Sequence, residues 1–230
     1  MLNIMKADIY RMIKYKTIFA YLILIFMVYS MGEFAFAFIH NSSGIPISLL
    51  KMGFNGRLYF PFILIVYTLY TEDFKYKTLK NTISCVTNRK PYFLSKFILS
   101  IIIAALSIIL CDYLAYNDYY QDTIKYGTEL THPVSEIIII ICLHIPIMTL
   151  AASFLTLLAI ALRRDYLFIP TAILLPILPF PIIAVLYNAF DTIVKSPYSP
   201  EAFSVSAFCT LLTAAGAAAG YYLFKSIDFK

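Results

Sequence analysis

The chain has 230 residues, of which 61% are hydrophobic and 13% charged, with a mean hydropathy of +0.80 and a net charge of +5. Soluble domains carry about 25% charged and about 45–50% apolar residues, and a chain this small could not hide so much apolar surface in one core. The composition excludes an ordinary soluble protein and predicts an all-α integral membrane protein with one transmembrane domain over 1–230.

The opening stretch, MLNIMKADIYRMIKYK, mixes apolar and basic residues. Leu2, Met5, Ile9, Met12 and Ile13 recur at spacings of three and four, with Lys6 and Lys14 elsewhere on the wheel. That pattern suits an amphipathic helix over 1–16 lying in the membrane interface; a basic tail that only sets orientation is the alternative. A first span follows at 18–39. Its Ala35-Phe36-Ala37 has the small-x-small form of a signal-peptide cleavage site, but the apolar run exceeds the usual h-region of roughly 7–15 residues. The helix is expected to be retained.

A second span is expected at 54–70, with Arg57 able to snorkel at a surface. Next comes TEDFKYKTLKNTISCVTNRKPYFLSK, residues 71–96, which holds six of the eighteen Lys and Arg residues. It is too long for a simple hairpin loop. Phe74, Leu79, Ile83 and Val86 fall on one side of a helical wheel, while Lys75, Lys77 and Lys80 point elsewhere. Pro91 suits the first turn of a new helix, so the third span should begin near Arg89 and cross at 97–115. The residues alone leave two uses for the short helix: attraction of anionic lipid, or a partner's groove.

Spans four, five and six are expected at 137–162, 166–187 and 203–224. The fifth carries Pro170, Pro176, Pro179 and Pro181, which predicts a kink or break. The sixth carries Gly216 and Gly220 at small-xxx-small spacing, which favours close helix packing. With six spans and the N-terminus inside, fourteen of the eighteen basic residues are cytoplasmic. The positive-inside rule then puts both termini in the cytoplasm.

Chemistry-bearing motifs are sparse. Cys85, Cys111, Cys142 and Cys209 are scattered without a C-x-x-C pair, so neither a zinc site nor a disulfide framework is indicated. H-E-x-x-H, G-x-S-x-G and a P-loop are absent, so no catalytic residue, metal ligand or nucleotide site is assigned. His144, inside the fourth span, reads as a hydrogen-bonded packing residue rather than a haem ligand. Glu33 and Asp112 each lie fifteen residues into an outward-running helix, roughly 22 Å across a core of about 30 Å. They mark either an acidic mouth of a pathway for cationic cargo or two solvated interfacial carboxylates.

From Asp73 onward the residues resemble a family, the type-2 permeases of ATP-binding-cassette transporters. The family has an acidic residue and an aromatic after span two, then Gly-Thr, a basic-apolar helix, an Arg, and a Lys entering span three. Here the matching residues are Asp73, Phe74, Thr78, Leu79, Lys80, Asn81, Arg89 and Lys96. The chain departs from the pattern with Asp73 in place of the usual Glu and Lys77 in place of the usual Gly. The amphipathic N-terminus, the proline-rich fifth span and the terminal YYLFKSIDFK are also similar.

The resemblance implies a cytoplasmic coupling helix between spans two and three, with Asp73, Phe74, Thr78, Leu79, Lys80, Ile83 and Arg89 forming the surface that docks on a separate ATPase. It implies an exporter subunit that binds no cofactor itself, with ATP and Mg held by the partner. Expected partners are that ATPase, a second permease chain (identical or different) and membrane lipid, with no nucleic acid. The bias toward Ile, Lys, Asn and Tyr resembles AT-rich bacterial genomes, Gram-positive ones included, and the expected location is the bacterial cell membrane. An antimicrobial peptide (in bacteriocin export or self-immunity) or a drug is the expected cargo. The alternatives are a secondary transporter and an intramembrane enzyme.

Overall fold

The computed structural model describes residues 1–38, 58–71, 73, 89–126, 134–162, 165–174 and 182–226. Regular structure among them is helical throughout, with no strand. The helices are α1 (Leu2–Lys14), α2 (Thr17–Phe38), α3 (Tyr59–Val66, continued by a π-helical turn over Tyr67–Thr71), α4 (Arg89–Tyr126), α5 (Val134–Leu162), α6 (Asp165–Leu174), α7 (Ile182–Lys195) and α8 (Pro200–Lys225). Three of them, α4, α5 and α8, are long and apolar enough to cross a membrane, and a fourth crossing is formed if α1 and the start of α2 are one bent span.

Local sequence explains several boundaries. α8 starts on Ser199, whose side chain accepts from the Ala202 amide at 3.1 Å, with Pro200 at the first helical position and Glu201 in the first turn. Each feature suits the positive, donor-rich end of a helix. α1 and α2 meet at an angle of 69°. Between them Lys16 has φ 58, the left-handed conformation that closes a helix end, and its amide donates to the Ile13 carbonyl at 3.0 Å. Glycine usually fills such a position; Lys16 carries a Cβ there and is strained.

Hydrogen bonds between helices fix their directions. Tyr21 meets Ser107 at 2.7 Å and Tyr29 donates to the Asp118 carboxylate, so α2 and α4 run parallel. The end of α3 meets the start of α4 through Lys96 and the Leu69 carbonyl, so α3 runs the opposite way. Tyr59, at the start of α3, donates to the Ala172 carbonyl near the end of α6, so α6 opposes α3. Arg89 reaches the end of α8, so α8 opposes α4, while Ser153 and Leu157 of α5 meet Gly216 and then Gly220 along a parallel α8. Direction therefore alternates through α2, α3, α4, α5, α6 and α8.

Burial follows from this arrangement. α3 is apolar all round and buried on nearly every side, which makes it the filling of the bundle. α5 packs on α3, α4 and α8, whereas α8 leaves Phe203, Phe208, Leu211 and Leu223 exposed. Such a face suits lipid better than water. The third apolar segment differs from the sequence expectation in length. α4 has 38 residues, about 57 Å at the α-helical rise, against an expected crossing of 97–115. The polar stretch beyond Ala115 stays helical, with Asp118 bonded to α2 and Tyr119 buried.

The proline-rich fifth segment is represented by α6, which contains Pro170, and by α7. Pro176, Pro179 and Pro181, on which the expected break rests, lie outside the described residues, as do Phe74, Thr78, Leu79, Lys80, Asn81 and Ile83 and the side chain of Glu33.

Candidate functional site

The end of the bundle that carries Asp73 and the start of α4, on either side of residues 74–88, holds a buried ionic cluster. α1 contributes Asp8 and Arg11, one helical turn apart. Asp73 follows the π-helical turn of α3, and Lys96 comes from the second turn of α4. Lys96 Nζ lies 2.7 Å from Asp73 Oδ2 and 3.1 Å from Asp8 Oδ1, while Arg11 contacts Asp8 Oδ1 at 3.1 Å and pairs with Asp73 Oδ1. Each carboxylate meets both cations. Lys96 is only 1% exposed and both aspartates 6%.

The two cations also finish a helix. Arg11 donates to the Thr68 carbonyl at 2.7 Å and Lys96 to the Leu69 carbonyl at 2.5 Å. These oxygens lie in the π-helical turn, at the negative end of α3, where positive charge is favourable. Tyr92 completes the group by donating to Asp73 Oδ2. Two positive and two negative charges cancel, so the cluster tolerates burial, but removing one partner would leave an uncompensated charge.

The two aspartates respond oppositely to one environment. Burial is the largest influence on Asp73 and pushes its carboxyl up, but Lys96, Arg11 and the bonds from Lys96 and Tyr92 together hold it below the ordinary value of 3.8. For Asp8 burial prevails over the pull of Lys96 and Arg11, and nearby Asp73 adds to the rise, so its carboxyl sits above 3.8. The difference follows geometry: Asp73 has the shorter contacts and the tyrosine, whereas Asp8 Oδ2 has no hydrogen-bond partner.

Arg89, at the first position of α4, donates to the Lys225 carbonyl at 2.8 Å and so attaches to the end of α8. Gly216 and Gly220 face α4 and α5 of the same chain. A Cβ at Gly216 would press on the Ser153 hydroxyl, and one at Gly220 would meet Phe93 Cζ at 3.2 Å.

Asp112 lies near the other end of the bundle and is fully buried rather than solvated. Its carboxylate lies 2.9 Å from His144 Nδ1 of α5. The His144 ring stands edge-on to Phe190 of α7, centroids 4.7 Å apart, and its Nε2 has no hydrogen-bond partner among the described residues. By the boundaries expected from sequence, His144 lies about 10 Å inside the start of the fourth span and Asp112 about 4.5 Å inside the end of the third. Among the described residues no group of three or more His, Cys, Asp and Glu is placed to hold a metal ion.

Sequence reasoning singled out Asp73, Arg89, Lys96 and Asp112, and read His144 as a hydrogen-bonded packing residue without naming its partner, but missed Asp8, Arg11 and Tyr92. One signal was available for the first two. Asp8 is the only acidic residue among the first sixteen, and Arg11 follows it at helical spacing. A lone acid in a basic amphipathic helix points to a polar contact on the inner face, which α1 has: Asp8 is buried beside Met12 while Leu2, Ile9 and Ile13 are exposed. Comparison of the chain with family models, curated proteins and solved structures finds no match.

Proposed function

We propose that the chain is the membrane subunit of an ATP-driven exporter, a type-2 permease whose 74–88 segment is a cytoplasmic coupling helix docked on a separate ATPase. The reading takes six crossings with both termini in the cytoplasm, the first preceded by an interfacial α1 and the fifth interrupted at its prolines. The alternating direction of α2, α3, α4, α5, α6 and α8 supports six passes, and the 69° turn between α1 and α2 suits a helix lying along the membrane.

The observation that carries the proposal is the ionic cluster. Asp73 and Lys96, two of the residues on which the family resemblance rests, bracket the 74–88 segment and form a buried ion pair. Arg11 and Asp8 extend that pair into α1. A membrane subunit driven by a separate motor needs its projecting segment fixed rigidly to several helices, and a dense charge network spanning α1, α3 and α4 provides such a fixture. The cargo is an antimicrobial peptide or a drug-like molecule, and a second permease chain completes the transporter in a bacterial cell membrane.

The test is copurification of the ATPase together with ATP turnover and cargo movement in the assembled complex. Leu79→Glu should lose the ATPase while the chain still inserts and folds. Parental binding and transport in that variant would defeat the assignment. The buried Asp112–His144 pair favours one other reading, a secondary transporter driven by protons, because intramembrane titratable pairs serve in proton relays. Cargo movement that stops when the ion gradient collapses, with no need for ATP, would select it.

A further inference from the structure

The end of α8 meets the start of α4, and Tyr92 touches both α8 and Asp73. Its hydroxyl donates to Asp73 Oδ2, while its ring stacks on Phe224 in the last turn of α8, with centroids 5.7 Å apart and planes 12° from parallel. Three residues earlier, Arg89 bonds the Lys225 carbonyl at 2.8 Å, one of the oxygens that a helix end leaves without a helical partner. Phe93 adds a tilted contact to Phe224 at 6.0 Å and closes on the α8 backbone at Gly220.

We infer that Tyr92 is a positioning residue that ties the last turn of α8 to Asp73, so that the 74–88 segment shifts α8 together with α4. The inference rests on the proposed role of that segment as the docking element. Aromatic packing alone would hold α8 against α4 whatever happened at Asp73. The hydroxyl is what makes the hold depend on Asp73, and Tyr92→Phe removes that hydroxyl while keeping the ring on Phe224.

The test uses the full chain in lipid nanodiscs, read by backbone hydrogen exchange over residues 220–226. Asp73→Asn is expected to speed exchange there about fivefold, the effect of one lost hydrogen bond. In a Tyr92→Phe background the same change should add nothing at 220–226 beyond the general loss of stability that α5 also reports. No effect in the parent, or an equal effect in both backgrounds, overturns the inference. If Asp73→Asn does not fold, Tyr92→Phe alone decides: exchange about fivefold faster at 220–226, with α5 unchanged, supports the tie, and parental exchange overturns it.

None of these measurements needs an ATPase, so they stand or fall apart from the exporter reading. In the assembled complex, ATP should alter exchange at 220–226 in the parent but not in Tyr92→Phe, with the ATPase bound in both. A response in both would overturn the transmitting role.

Discussion

At the end of the bundle next to the 74–88 segment, two carboxylates share two cations, and the cations also satisfy the carbonyls of Thr68 and Leu69. At the far end the Asp112 carboxylate meets the His144 imidazole, whose ring packs edge-on to Phe190 and whose second nitrogen has no partner among the described residues. Both carboxylate sites are buried, with Arg11 of the first reaching the surface, yet they use burial differently. The first spreads each charge over several partners on α1, α3 and α4 and behaves as a joint. The second joins α4 to α5 through the contact between Asp112 and His144. A joint between three helices should fail badly when a partner is removed, whereas a contact between two should tolerate change better.

The largest effect separating them is expected from Lys96→Met. It leaves Asp8 and Asp73 together in a buried site with Arg11 alone, at a cost of about 3–5 kcal/mol. Thermal unfolding in detergent measures it, and a loss below about 1 kcal/mol, ordinary for a single hydrogen bond, would break the contrast. Asp112→Asn or His144→Gln should cost only about 1 kcal/mol, the usual scale for one bond between membrane helices. If either matched Lys96→Met, the far site would be a joint as well.

A finer distinction lies within the cluster. The Asp73 carboxyl is held below 3.8, so its ionised form stabilises the fold above that value and the contribution is lost as pH falls through the lowered pKa. The Asp8 carboxyl is raised, so its ionisation works against the fold and acidification from neutral pH relieves it first. Asp73→Asn should therefore destabilise the protein near neutral pH clearly more than Asp8→Asn. Asp8→Asn should also abolish the gain in stability that the parent shows as pH falls toward 3.8. Stability measured against pH for the two variants and the parent checks both statements, and equal losses near neutral pH would contradict the assignment. The smallest effect is expected outside both sites: Lys16→Gly should raise stability by about 1 kcal/mol by relieving the left-handed strain. A loss in that variant would mean the Lys16 side chain contributes more than its backbone costs.

Much of this architecture was legible in the sequence, for reasons that particular residues make plain. The membrane class and the cores of α2, α4, α5 and α8 follow from apolar runs longer than any soluble core requires. Ser199 and Pro200 mark the start of α8 by local chemistry alone. The continuation of α4 to Tyr126 could not be read this way, because the residues after Ala115 are polar and are held helical by α2 through Tyr29. The two sites were half legible. Asp73, Lys96 and Asp112 stood out as charges in apolar surroundings, but their partners lie far off in the chain. Asp8 meets Lys96 across 88 positions and Asp112 meets His144 across 32, and no local period signals either pairing.

In the proposed exporter, the ionic cluster carries movement from residues 74–88 into the membrane helices. Arg11→Gln tests it most directly, because Arg11 lies outside the proposed docking surface and joins α1 to Asp73. The measurement is cargo moved per ATP hydrolysed in the reconstituted complex. The account predicts that the variant keeps its ATPase and its ATP turnover while the ratio falls at least about tenfold, equivalent to a loss of about 1.4 kcal/mol. A parental ratio in a folded Arg11→Gln complex would contradict it.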